Sequence, residues 1–128
     1  MANRRKPMVE RTRRLSGKML MFLLGAEDDT LHEFAGGAKS GRAAKTLVKE
    51  GSLRITLVAL TDGTALPSHH IAGPASIQTL RGCLRIATDK TQVDLTTGGL
   101  VALGAGVAYT ARAIGDTAIL LTVVMAER

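Results

Sequence analysis

Tryptophan is absent from the 128 residues, tyrosine occurs once, at Tyr109, and phenylalanine twice, at Phe22 and Phe34. A core made from this chain must be built from aliphatic side chains. Cys83 is the one cysteine, which excludes an intrachain disulfide and fits a reducing, cytoplasmic setting. The longest strongly apolar run, Met19 to Leu24, is six residues. That is too short for a transmembrane segment, which needs about 18 or more, and for a signal-peptide core of about 7–15 residues. Bulky Leu24 also stands where a cleavage site needs a small residue. Met19 and Met21 are themselves candidate start positions.

One sign of charge is confined to one end. Up to Lys18 there are seven basic residues, Arg4, Arg5, Lys6, Arg11, Arg13, Arg14 and Lys18, against Glu10 alone, which is the whole net charge of +6. The remaining ten basic and ten acidic residues cancel. The high pI therefore belongs to an arm, and the body offers no basic surface that would mark a specific nucleic-acid binder. Charge blocks at chain ends are ordinarily solvated tails. The expected organisation is a basic, disordered extension over residues 1–29 and a single folded domain over 30–128.

Gly36 and Gly41 have the spacing of a phosphate-binding loop, but Arg42 occupies the lysine position and Ala43 the hydroxyl position. A glycine-rich turn entering an edge strand fits better. Past Glu50 the pattern is of short aliphatic segments between turns. Leu53 to Leu60 is apolar on both faces, as in a strand covered on both sides. Further strands are expected at 65–70, 75–81, 84–88, 92–95, 100–103, 108–113 and 117–124, divided by turns such as Arg81-Gly82 and Gly115-Asp116. No segment past Glu50 has helical period at helical length. Many short strands in about 80 residues argue for an all-β sandwich or barrel.

The turn glycines carry a resemblance. Gly63, His69, Ile71, Ala75 and Gly82 keep every interval of the first motif of small single-domain bacterial cupins, Gly-x5-His-x-His-x3–4-Glu-x6-Gly. Gly98, Gly104, Gly106, Tyr109 and Ala113 keep those of the second, Gly-x5-Pro-x-Gly-x2-His-x3-Asn, after a spacer of fifteen residues. Over roughly residues 43–125 the chain resembles that family, which implies a cupin-type double-stranded β-helix, a jelly-roll barrel, commonly a homodimer.

In metal-binding members the motif histidines and glutamate hold a divalent ion. Transferred by position, His69 is kept, while Ile71, Ala75 and Tyr109 stand at the other three ligand positions. Ile71 and Ala75 have no lone pair to donate, and Tyr109 would have to bind as phenolate from a pKa near 10. No metal or other cofactor is therefore expected. His70 and Gln78 are the nearby polar candidates, but adjacent strand residues point to opposite faces, and Gln78 has the opposite parity to Ala75. His32 is too remote in sequence to place. The expectation is a barrel with a degenerate metal site, a small-molecule-binding or non-enzymatic module whose pocket includes His69, Ile71, Ala75 and Tyr109. Two alternatives stand beside it: a metal-dependent cupin oxygenase or isomerase with an atypical site, and a metal-free sugar epimerase-like enzyme using His69 and Tyr109 as base and acid.

Overall fold

The computed structural model describes residues 15–67 and 73–125. Helix α1 (Leu24–Gly37) is followed by strands β1 (Arg42–Glu50), β2 (Leu53–Leu60), β3 (Ala75–Ala87), β4 (Gln92–Thr96), β5 (Leu100–Leu103) and β6 (Thr110–Val124). In the sheet, β1, β2, β6, β3 and β4 are successive antiparallel neighbours. β5 and β4 share one side of β3: β5 lies along Ala75–Gln78 and β4 along Cys83–Ala87.

Strand alternation sorts the aliphatic residues into two cores. Val58 and Leu60 of β2, Ile77, Leu84 and Ile86 of β3, and Ala111, Ala113 and Ile119 of β6 pack together inside the curled sheet. From the other face of the same strands, Leu57, Ala59, Leu80 and Leu120 pack against Leu31 and Ala35 of α1. The two apolar faces of β2 thus have two different partners, barrel and helix. β1, entered from the Gly41 turn, is the edge strand, as its sequence leads one to expect.

β3 and β6 pair along almost their whole length, and the register slips between Thr79 and Cys83. The interior residues of β3 change parity across that slip, from 75, 77 and 79 to 84 and 86. Gly82, at φ +87°, occupies the irregularity, and a Cβ there would overlap the Asp116 carbonyl and lie 2.7 Å from Thr117 Oγ1. Thr117, fully buried, accepts from the Cys83 amide at 3.3 Å and has the carbonyls of Cys83 and Gly115 each 3.0 Å from its hydroxyl. Such bulges bend a sheet. The turns expected at Arg81-Gly82 and Gly115-Asp116 are therefore irregularities inside two long strands, and the four strands drawn there are two.

The strand expected over 65–70 is represented in the described residues by one bridge, Ala65 to Arg112, extended by hydrogen bonds from Leu66 N to Ala111 O and from Ala113 N to Thr64 O. Reciprocal carboxylate–amide bonds fasten the turn before it: Asp62 N to Asp116 Oδ1 at 3.1 Å and Gly115 N to Asp62 Oδ1 at 2.8 Å.

The boundary expected between Asp29 and Thr30 falls inside α1. The helix starts at Leu24, and Phe22 and Leu24 both pack against the helix-side core. The Leu15 carbonyl accepts from Lys49 N at 2.7 Å, and Glu50 Oε1 accepts from Gly17 N at 3.1 Å, so the chain from Leu15 onward lies along the end of β1. Part of the apolar run at 19–24 is helix-docking surface. No helix among the described residues is long and apolar enough to cross a membrane.

Candidate functional site

Tyr109 is the motif position that the structure describes best. The turn Gly104–Val107, closed by Val107 N to Gly104 O at 3.3 Å, leads to it one residue before β6. Its ring is buried at 7% exposure in the barrel core with Val58, Leu60, Ile77, Leu84 and Ile86. Burial alone pushes the phenol above its usual pKa, because the apolar surroundings penalise the phenolate. Its hydroxyl makes no hydrogen bond to another described residue.

Ala75 opens β3, buried, between Leu103 of β5 and Val123 of β6. Gln78 lies between Leu100 and Leu120, on the face it shares with Leu80 of the helix-side core, opposite to Ile77. His69, His70 and Ile71 lie outside the described residues. Among the described residues no three His, Cys, Asp or Glu side chains come together in a metal-binding group.

The four motif positions do not fit a catalytic divalent ion. Such an ion normally takes three protein donors. Here Ile71 and Ala75 supply none, and Tyr109 sits where forming a phenolate is disfavoured. A single imidazole, His69, remains.

A second polar constellation, without a local sequence signal, fastens α1 to the sheet. Asp28 is buried in the helix seam; its Oδ2 accepts from Arg81 Nε at 2.9 Å and its Oδ1 lies 2.6 Å from His32 Nδ1. Arg81 Nη2 is also 2.5 Å from His32 Nδ1. One ring nitrogen cannot donate to the carboxylate and accept from the guanidinium together, so the tautomer of His32 decides which of the two contacts is a hydrogen bond. The hydrogen bond to Asp28 raises the Arg81 pKa. Glu27 and Lys45, 2.6 Å apart, form a second tie from α1 to β1. Asp28 and Arg81 are 53 residues apart in sequence, which explains why neither stands out there.

No family model matches the chain, and no curated protein does. Solved structures do. A conserved protein of unknown function from Streptococcus pyogenes is similar over 90% of this chain and 95% of its own, at a TM-score of 0.69 and 22% identity. A cupin superfamily protein from Desulfitobacterium hafniense matches at 0.69 and 16% identity over 88% and 95% of the two chains. A salicylate 1,2-dioxygenase variant from Pseudoaminobacter salicylatoxidans matches at 0.73 and 14% identity, over 92% of this chain but 38% of the enzyme. The chain is a small cupin domain in fold: a double-stranded β-helix with a helix laid across its outer face. Proteins that share the fold include enzymes and proteins of unknown function, so fold alone does not define an activity.

Proposed function

We propose that this cupin is a small-molecule-binding module without a catalytic metal, working as a homodimer, whose barrel takes a small and mostly apolar ligand with His69 and Tyr109 as its polar contacts. The observation that carries the reading is Tyr109, a neutral phenol among aliphatic side chains at the position where metal-binding cupins place a ligand. Apolar lining with a few oriented polar groups is the usual composition of a small-molecule site. The deciding experiment is metal content by plasma mass spectrometry on protein purified without chelator, then dialysed against iron, manganese, zinc or nickel. Well below one ion per chain is expected in every case; one ion per chain, lost in His69→Ala, overturns the proposal in favour of a metal-dependent oxygenase or isomerase.

The raised pKa of Tyr109 also supports a second reading, a metal-free acid–base enzyme, because a general acid must hold its proton at neutral pH. That reading requires solvent deuterium to enter a sugar substrate, and exchange to disappear in His69→Ala. Wild-type protein showing no exchange across nucleotide-sugar candidates would sink it.

A further inference from the structure

On the outer face of the sheet, opposite Tyr109, the register builds a row of charges. Ala65 bridges Arg112, Arg112 is the direct cross-strand partner of Arg85, and Arg85 is that of Asp94. The next row is Thr110, Ala87 and Gln92. Their neighbours Leu84, Ile86, Ala111 and Ala113 point into the barrel core, so these two rows face away from it.

Two guanidinium groups directly across a strand pair repel one another. Asp94 neutralises one of them: Arg85 Nε and Nη2 donate to its two oxygens at 2.7 and 3.0 Å. Among the described residues Arg112 finds only a neutral acceptor, the Gly63 carbonyl. Among the described residues the row therefore keeps one unbalanced positive charge, and most of the donors of Arg112 have no partner there. Beside it lies a groove of about 460 Å³, where Ala65 and Ala87 leave room between Arg85, Arg112, Thr110 and Gln92. That volume is within the range of small-molecule sites, about 300–1,000 Å³. Guanidinium recognises planar or tetrahedral oxyanions through paired N–H bonds.

We propose that this groove is a binding site for a small molecule with an oxyanion head, carboxylate or phosphate, held by Arg112 and Arg85, with a short apolar body lying over Ala65 and Ala87. The site is on the opposite face of the sheet from Tyr109 and does not depend on what the barrel binds. Asp94 is its internal competitor for Arg85.

The test is a low-salt NMR titration of the full ¹⁵N-labelled chain with hexanoate, inorganic phosphate and neutral hexanamide. Expected are saturable shifts at Arg85, Ala87, Thr110 and Arg112 with hexanoate, phosphate or both, and none with hexanamide. Phosphate alone would identify the head as phosphate; hexanoate, a carboxylate. Affinity should fall at least about tenfold in Arg112→Gln and in Arg85→Gln, which leaves the Gly63 contact intact, rise several-fold in Asp94→Asn, and stay level in Tyr109→Phe. No shifts with either anion, equal shifts with hexanamide, indifference to both arginine variants, or weaker binding in Asp94→Asn would each overturn the proposal. So would a concentration-dependent dimer lost in Arg112→Gln, which would give the face to a second copy.

Discussion

In a sequence with one tyrosine and no tryptophan, Tyr109 is the sole strong ultraviolet reporter. Absorbance at 295 nm during alkaline titration therefore reads one phenol. Its folded pKa is raised, so the stability it contributes is complete below its unfolded value, near 10, and is lost as pH rises through the folded value. The midpoint should lie above 10 in native protein and return to the ordinary value in denaturant, and Tyr109→Phe should remain folded to higher pH. A native midpoint at or below the ordinary value would contradict the burial that supports the functional reading. Gly82 makes a steric prediction. Alanine there meets both a disfavoured φ and a neighbouring carbonyl, so a loss of about 2 kcal/mol or more is expected in chemical denaturation. Alanine at Gly63, whose φ is also positive but which has open space around it, should cost about 1 kcal/mol. These positions were legible in the sequence because left-handed backbone selects glycine: Gly63, Gly82, Gly98 and Gly106, the frame of the resemblance, all have positive φ. Ala75 and Tyr109 could be placed by the same frame, since a fixed spacing from such a turn sets which side of a strand a residue takes.

Helix α1 was not legible, for reasons its residues make plain. The seam that meets the sheet consists of half-buried Leu24 and buried Asp28, Leu31 and Ala35, so a carboxylate occupies one of the three buried positions and breaks the apolar periodicity. Leu23 supplies no side-chain cap. What holds the helix is tertiary: its apolar seam packs on Leu57, Ala59, Leu80 and Leu120, and Arg81 from β3 and Lys45 from β1 tie its polar edge. Removing Asp28 leaves Arg81 and His32 without their acceptor, and Asp28→Ala should lower stability by about 1–3 kcal/mol, Arg81 being partly solvated. Hydrogen exchange should then speed up in α1 first while the β3–β6 amides keep their protection. Uniform acceleration along the chain would mean the helix is not separately anchored. At the other edge, pairing with Arg85 holds the Asp94 carboxyl below its usual pKa. Whatever that pair contributes is present above the unfolded value and disappears as pH falls through the folded one. Asp94→Asn should remove this small acid-side dependence, measurable as a flatter melting-temperature profile below pH 5.

For the molecule as a whole, the aliphatic pattern specified the class of fold while local turn signals miscounted its strands. Arg81-Gly82 and Gly115-Asp116 carry turn chemistry, yet each is enclosed by pairing that continues on both sides, and only the partner strand shows it. β3 and β6 consequently traverse both ends of the barrel: β3 meets β5 at one end and β4 at the other, with β6 beside it throughout. Neither end owns a complete set of hydrogen-bonded neighbours. Opening one would strip the shared pair of strands from the other, so melting should be one concerted event, with calorimetric and van't Hoff enthalpies equal, and cutting the chain within either long strand should leave no fragment able to stand by itself.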